Sequence, residues 1–288
     1  MADLLRALRP HHWVKNLLVF LPMVAAHRWA ESALWLSAAQ AFAAFCLCSS
    51  ALYLVNDLID LADDRAHPQK RHRPLAAGRL SPRTALAAGA ALLAAALLLA
   101  AAAGALAQVA GYALAALAYS LWLKTRALAD LFWLVGLYLL RVLAGAAATG
   151  IQPSDWLLAL SALVFASLAC AKRCAELTGA ASGALPLPRR RGYRVEDRGL
   201  LTTAGLAAAF ATQIVLLLYL QEAAAGALYP RPGWLMLAGA VILGWLMRVW
   251  LLVGRGRMQT DPIVFALRDP ASLAAGLALA GCFLLAAG

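Results

Sequence analysis

The stretch AAQAFAAFCLCSSALYLVNDLIDLADD, residues 38–64, joins a predominantly apolar run to a cluster of carboxylates. The apolar part is long enough to cross a bilayer as a helix, which requires about 20 residues. Four aspartates stand within its last nine residues, 56–64. Because an ionisable group at membrane depth is costly unless it serves a function, this stretch predicts a membrane helix that ends in a functional site.

Three of the four aspartates share one face if the helix continues through them. At about 100° per residue, Asp57, Asp60 and Asp64 fall within roughly 60° of arc, whereas Asp63 points away. Three converging carboxylates suit a hard divalent cation such as Mg²⁺, which leaves coordination positions for substrate phosphates. The other interpretation is that these aspartates lie in solvent and pair with nearby arginines.

The apolar character recurs along the whole chain, which is 64% hydrophobic and has a mean hydropathy of +0.75. Nine apolar segments have a length near that of a spanning helix: 16–36, 38–59, 84–103, 105–123, 129–149, 154–176, 199–220, 233–252 and 270–287. No strand pattern of the membrane-barrel type accompanies them. We therefore predict an all-α membrane protein with nine transmembrane helices, in a single domain over residues 1–288.

The distribution of positive charge predicts the orientation. With the N-terminus inside, 22 of the 25 Lys and Arg residues fall in inner segments, the outer loops carry Arg28 and Arg231, and Arg141 lies within a helix. The positive-inside rule then places the aspartates on the cytoplasmic side of the inner (plasma) membrane. Topology and anionic lipid headgroups account for the net charge of +11, and no nucleic-acid motif accompanies it. We expect a membrane and no nucleic acid among the partners.

A basic loop follows the aspartates directly. Pro68 and Pro74 interrupt helix formation there. The cations of this loop are Arg65, Lys70, Arg71 and Arg73. A diphosphate-binding site requires a metal ion that bridges phosphate oxygens. It also requires arginines, each of which can donate two hydrogen bonds to those oxygens. Ordinary inner-loop charge is the alternative interpretation.

Three other segments place polar side chains at the same membrane depth. They contribute Lys15 and Asn16, then Tyr119, Lys124, Arg126 and Asp130, and finally Lys172 and Arg173. These residues also have structural interpretations. Lys124 and Arg126 are positive charges of the kind that the positive-inside rule places in inner loops. Lys172 is spaced to form a salt bridge with Glu176. Arg141 must face the bundle interior or a wet cavity, where we expect it to pair with a buried polar group; contact with a substrate phosphate is the alternative.

Taken in order, these motifs resemble the UbiA superfamily of intramembrane prenyltransferases. The first signature is Asn56-Asp57-x-x-Asp60-x-x-x-Asp64, followed by Arg73-Pro74-Leu75-Ala76-Ala77-Gly78. The likeness is greatest to the decaprenyl-phosphate phosphoribosyltransferase branch, and further motifs carry it: Arg9-Pro10-x-x-Trp13-x-Lys15-Asn16, Asp64-Arg65-x-His67-Pro68-x-Lys70, Tyr119-Ser120-x-x-Leu123-Lys124, Lys172-Arg173-x-x-Glu176-Leu177 and Met258-x-x-Asp261-Pro262-Ile263-Val264-Phe265-Ala266. Members that use prenyl diphosphates typically carry a second D-x-x-x-D pair, but here Leu134 stands four residues after Asp130. That departure favours the phosphoribosyl branch.

The resemblance implies a helical bundle around a central cavity that opens to the cytoplasm. It implies Mg²⁺-dependent transfer of a 5-phosphoribosyl group from phosphoribosyl diphosphate to a polyprenyl phosphate, with Asp57, Asp60 and Asp64 as catalytic residues and metal ligands. The implied substrate-binding residues are Lys15, Asn16, Asn56, Arg65, Lys70, Arg73, Tyr119, Lys124, Asp130, Lys172 and Arg173.

Two other activities are set against this prediction. An aromatic prenyltransferase would use the same aspartates to ionise a prenyl diphosphate. An ion-coupled transporter is less favoured, because no paired, interrupted helices stand out in the two halves of the chain. A homo-oligomer is compatible with the sequence.

Overall fold

The computed structural model describes residues 2–183, 192–222, 228–258 and 261–288. Within these ranges every regular element is a helix and no strand is present, which confirms the all-α prediction. The arginines at positions 189–191, which were counted among the inner charges, lie outside the described residues.

The α-helices of the described chain are α1 Ala2–Leu8, α2 Leu21–Ala25, α3 Ser32–Ile59, α4 Leu61–Ala66, α5 Pro82–Ala102, α6 Leu106–Leu121, α7 Ala129–Thr149, α8 Asp155–Ala181, α9 Arg198–Leu220, α10 Gly233–Gly254, α11 Pro262–Ala266 and α12 Pro270–Ala287. Among the described residues, seven are long and apolar enough to cross a membrane: α3, α5, α7, α8, α9, α10 and α12. Large apolar side chains such as Leu98, Phe132 and Leu277 are three-quarters exposed, as expected for surfaces that face lipid. The chain is a multi-pass membrane protein.

The first predicted segment, 16–36, is not one spanning helix. Pro10–Phe20 forms a 3₁₀ helix, a short α2 follows, and α3 begins at Ser32, six residues earlier than predicted. Pro22 explains the change, because it lacks the N–H that would bond to the Leu18 carbonyl in an α-helix, and the N–H of Leu21 bonds to that carbonyl instead. Since α6 has only 16 residues, the described residues do not reach the predicted count of nine spans.

The first of two compact units comprises Met1–Leu123 and Leu140–Gln152. Helix α3 is its central element and packs against α5, α6, α1 and the 3₁₀ helix. Small residues let these backbones approach closely, as is usual in membrane bundles. A Cβ atom at Gly145 would lie 1.8 Å from the carbonyl oxygen of Val19, so any side chain there would displace the 3₁₀ helix.

The second unit comprises Lys124–Leu139 and Pro153–Gly288. In this unit α8 packs against α9, α9 against α10, and α10 against α12. Gly205 provides the space for Trp250, since a Cβ atom there would lie 2.1 Å from the indole ring. The indole N–H of Trp250 donates to the Ser167 hydroxyl at 3.0 Å, which holds α10 against α8.

Three helices begin with a capping side chain followed by proline, at Ser81-Pro82, Asp261-Pro262 and Asp269-Pro270. In each case the side-chain oxygen accepts a backbone N–H of the first turn, and proline occupies the position where no N–H is needed. The starts of α5, α11 and α12 are thus set locally by the sequence.

Candidate functional site

The acidic residues at the end of α3 form a buried cluster in the first unit. The side chains of Asp57 and Asp64 are 3% and 4% exposed, whereas Asp63, which was predicted to point away from the others, is exposed. The prediction of one continuous helix through the aspartates is wrong. Asp60 has φ −92° and ψ 9°, so α3 ends at Ile59 and α4 begins at Leu61.

One guanidinium joins the two buried carboxylates. Arg73 Nη1 donates to Asp64 Oδ2 at 2.6 Å and to Asp57 Oδ1 at 3.2 Å. A second arginine, Arg9, donates from Nη2 to Asp57 Oδ1 at 2.5 Å. Asp57 and Asp64 therefore do pair with arginines, but as buried carboxylates and not in solvent.

The donor set fits a hard divalent cation. Asp57 and Asp64 direct oxygen atoms at the same cationic group, and Mg²⁺ in proteins is usually held by one or two carboxylates together with phosphate oxygens and water. In the part of the chain that the structure describes, no three His, Cys, Asp or Glu side chains form a group that could hold a metal ion. The two carboxylates could therefore supply part of a coordination shell that phosphate oxygens of a substrate complete.

The environment of Asp64 favours a further cationic partner. Burial raises the pKa of the Asp64 carboxyl above its ordinary value, and the charge and hydrogen bond of Arg73 only partly offset this. Lys70 acts in the same direction as Arg73 through its charge. The surrounding protein thus leaves the charged form of Asp64 incompletely compensated.

Asn16 belongs to a buried network around Arg141. Arg141 donates to Asn16 Oδ1 and to the Tyr112 hydroxyl, both at 2.9 Å, and its guanidinium lies 4.6 Å from the centre of the Tyr112 ring. The amide of Asn16 donates to Cys46 Sγ at 3.3 Å. The expected pairing of Arg141 with buried polar groups is confirmed, and these contacts fix the orientation of Asn16.

The other substrate-binding residues predicted in the first unit differ in exposure. Lys15 is buried, Asn56 and Tyr119 are half-buried, and Arg65 and Lys70 are exposed. Of these, Lys70 acts electrostatically on the acidic cluster, whereas Lys15 lies in the same 3₁₀ helix as Asn16.

The second unit contains its own buried polar cluster. Arg173 Nε donates to Asp130 Oδ2 at 2.8 Å, and both side chains are essentially inaccessible to solvent. Arg173 also donates from Nη1 to Glu176 Oε2 at 2.7 Å. The Tyr193 hydroxyl donates to Asp130 Oδ1 at 2.5 Å, so both oxygens of this carboxylate accept hydrogen bonds from protein side chains.

Lys172 does not form the salt bridge with Glu176 that its spacing suggested. Its ammonium lies 3.0 Å from Asp261 Oδ2, and Glu176 pairs with Arg173 instead. The cause is that Asp261, which caps α11, is brought against α8 by the fold. Lys124 is buried in the short 3₁₀ helix Leu123–Thr125.

Sequence reasoning did not assign a site role to Arg9, Tyr112 or Tyr193. Arg9 stands within a motif that carried the resemblance, so its charge could have been assigned to the acidic cluster. Tyr112 and Tyr193 lie 29 and 63 residues from their side-chain partners Arg141 and Asp130, and no local pattern connects them.

Comparison with known proteins identifies the family of this chain. The model described as the UbiA prenyltransferase family matches residues 17–274. The chain is 39% identical over 287 residues to the uncharacterized protein y4nM of Sinorhizobium fredii, covering 99% of this chain and 56% of that protein. It is 37% identical over 287 residues to the nodulation protein NoeC of Azorhizobium caulinodans, covering 97% of this chain and 92% of NoeC.

A shorter match is with the decaprenyl-phosphate phosphoribosyltransferase of Mycolicibacterium smegmatis, at 37% identity over 62% of this chain and 58% of that enzyme. The chain thus spans little more than half the length of y4nM, and its match to the M. smegmatis enzyme covers a similar share. Among solved structures, a UbiA homolog from Archaeoglobus fulgidus bound to DMAPP and Mg²⁺ superposes with a TM-score of 0.72 over 98% of both chains. At 16% identity this likeness establishes the fold.

Proposed function

The chain belongs to the UbiA prenyltransferase family of membrane-embedded enzymes, and from this premise we propose that it is a phosphoribosyltransferase. In the proposed reaction, a 5-phosphoribosyl group moves from phosphoribosyl diphosphate to a polyprenyl phosphate, and diphosphate is released. The observation that carries the proposal is the pair of buried carboxylates, Asp57 and Asp64, which share the Arg73 guanidinium.

Two features favour a phosphoribosyl donor over a prenyl donor. Relatives named decaprenyl-phosphate phosphoribosyltransferase match nearly two-thirds of the chain. The second acidic pair expected of prenyl-diphosphate users is incomplete, because Leu134 takes the place of its second aspartate. In addition, Asp130 is engaged by Arg173 and Tyr193.

In the proposed reaction, the residues of the acidic cluster would have two functions, which are metal binding and phosphate binding. Asp57 and Asp64 would hold Mg²⁺ together with phosphate oxygens of the donor, and we propose Asp60 as a further ligand; the bound ion would neutralise charge on the departing diphosphate. Arg73, a quarter exposed, can exchange a carboxylate oxygen for a phosphate oxygen of the donor, and Lys70 lies at the same cluster. The bond from ribose C1 to diphosphate breaks with its electron pair on the leaving group, and C1 bonds to an oxygen of the acceptor phosphate.

No general base is required, because a phosphate monoester is already ionised near neutral pH. Catalysis would consist of positioning and of stabilising the leaving-group charge at an oxocarbenium-like C1. In the proposed orientation the N-terminus and the acidic cluster face the cytoplasm, where phosphoribosyl diphosphate is soluble, and the lipid acceptor comes from the membrane.

The second candidate is an aromatic prenyltransferase that transfers a prenyl group to an acceptor such as 4-hydroxybenzoate. The family description and the A. fulgidus structure with bound DMAPP and Mg²⁺ favour it. It would use the same aspartates on a prenyl diphosphate.

A direct assay separates the two reactions. Purified protein in detergent is incubated with Mg²⁺, labelled phosphoribosyl diphosphate and a polyprenyl phosphate, with EDTA in a parallel sample. We expect label in the lipid fraction only in the Mg²⁺ sample. Absence of labelled lipid, together with prenylation of 4-hydroxybenzoate from a prenyl diphosphate, would establish the second candidate instead.

Lys124 provides a test of phosphate binding. We expect Lys124→Ala to raise the KM for phosphoribosyl diphosphate by about 10- to 100-fold, the loss expected for one charge-assisted hydrogen bond. Arg126→Ala is the matched control, since Arg126 is exposed two residues away and Lys124 is buried. The effect is measured by steady-state kinetics at varied donor concentration. Equal KM values for the two variants would mean that Lys124 contributes only to the positive charge of the inner loop.

A further inference from the structure

The buried tyrosine of the second unit, Tyr193, has no part in the chemistry described above. It is 4% exposed and lies just before the 3₁₀ turn Val195–Asp197 that leads into α9. Its hydroxyl donates to Asp130 Oδ1 at 2.5 Å and accepts the backbone N–H of Leu128 at 2.8 Å. The tyrosine thus connects the start of α7 to the end of the inner loop that carries Lys124.

That loop adopts a conformation which requires outside support. Leu128 has φ 64°, in the left-handed region that a branched-chain residue rarely occupies. The residue before Tyr193 also contacts the loop closely. A Cβ atom at Gly192 would lie 2.5 Å from the carbonyl oxygen of Thr125 and 2.6 Å from the amide nitrogen of Ala127. Gly192 and Tyr193 therefore hold residues 125–128 from one side.

Among the described residues of the second unit, the ion pair between Arg173 and Asp130 is the most deeply buried, and it holds the Tyr193 hydroxyl in place. Asp130, which receives the Tyr193 hydrogen bond, is held from its other oxygen by Arg173 on α8. Because both partners are excluded from water, their geometry is determined by packing and has little freedom to adjust. Through its hydroxyl, Tyr193 therefore links the Leu128 backbone to a pair of side chains whose positions are fixed by packing.

We propose that Tyr193 is a positioning residue which fixes the inner loop Leu123–Leu128, and through it Lys124, for binding the phosphorylated donor. The inference rests on the proposed function for the identity of the donor. Tyr193 does not touch substrate in this role. Asp130, which stands where a second metal-binding pair would begin, serves as the anchor of the loop.

The test is Tyr193→Phe, which removes one oxygen atom and retains the ring. Hydrogen–deuterium exchange of the full-length protein in detergent is measured for peptides that cover residues 122–131. We expect exchange at Leu128 and its neighbours to become about five- to tenfold faster, because the amide loses its acceptor. In the transferase assay, the KM for the donor should rise about fivefold while kcat and the KM for the lipid change less than twofold.

Tyr219→Phe is the matched control, because Tyr219 lies at the far end of α9 and contacts the Tyr229 ring. It should leave the loop exchange and the donor KM at wild-type values. A second variant, Gly192→Ala, keeps the Tyr193 hydroxyl but introduces a methyl group against the Thr125 carbonyl. It should also accelerate exchange in residues 122–131 and raise the donor KM, so the inference can still be tested if Tyr193→Phe does not fold.

Each outcome bears on the inference. Unchanged loop exchange in both variants overturns the contact as a support of the loop. Faster exchange with an unchanged donor KM overturns the positioning role. If the wild-type protein transfers no phosphoribosyl group, the proposed function has failed, and the kinetic measurement is repeated with the diphosphate donor that the wild type does use. The exchange result is independent of that choice.

Discussion

Replacing Asp57, Asp60 or Asp64 with asparagine is expected to lower kcat/KM for the donor by about 10²- to 10³-fold, the usual loss when a group that stabilises transition-state charge is removed. An amide keeps the shape of the carboxylate but supplies no negative charge to a divalent cation. Because Arg9 and Arg73 retain partial access to water, the variants should fold with nearly wild-type thermal midpoints. Loss of activity without loss of stability is therefore the expected signature.

Asp63→Asn is the matched control for this series. Asp63 adjoins Asp64 in α4 but is exposed, so its replacement should leave kcat/KM within a factor of about two of wild type, as for surface changes in general. Activity is measured in the same assay over a range of Mg²⁺ concentrations. A near-normal rate for Asp57→Asn and Asp64→Asn at low Mg²⁺ would remove the metal role from these residues.

The largest expected effect on stability is at the ion pair between Arg173 and Asp130. Arg173→Met leaves the Asp130 carboxylate buried without its principal counter-charge, and breaking a buried pair in this way costs about 3–5 kcal/mol. The side chains are 1% and 0% exposed, so water cannot replace the lost partner. We expect the unfolding midpoint in detergent to fall far more than for any surface change.

Lys172→Met is the neighbouring control, since Lys172 is 32% exposed and its pair with Asp261 should contribute less than about 1 kcal/mol. The double variant Arg173→Met with Asp130→Asn removes both charges and should recover most of the stability. Equal midpoints for Arg173→Met and Lys172→Met would show that the buried pair makes no special contribution.

Part of the acidic site was predictable and part was not. The spacing predicted Asp57, Asp60 and Asp64 as one group on a continuous helix, whereas the structure joins Asp57 and Asp64 through Arg73 and ends the helix before Asp60. The two buried carboxylates meet because Arg73, nine residues beyond Asp64, folds back on them. Arg9 also reaches Asp57 from 48 residues away. Helical periodicity predicts which residues lie close together within a few turns of one helix. It does not predict contacts between residues that are distant along the chain.

The same limit explains the differences elsewhere. Lys172 has a partner at a favourable spacing in Glu176, yet Asp261, 89 residues away, takes its place. The first apolar segment has the composition of a spanning helix, but Pro22 and the left-handed residue His27 interrupt it. Pro22 was visible in the sequence, and its consequence for the helix could have been foreseen.

From the order of its amino acids alone, one could derive the helical class and most of the membrane segments, because both depend on local composition. The acidic residues could be singled out as a candidate site, because charge is costly in lipid. Which side chains became partners was decided by the fold. The pairing of Asp130 with Arg173 and Tyr193, and of Asp57 with Arg9 and Arg73, joins residues that are distant along the chain. Burial removes water as an alternative partner, so whichever complementary group the packing brings within reach forms the bond.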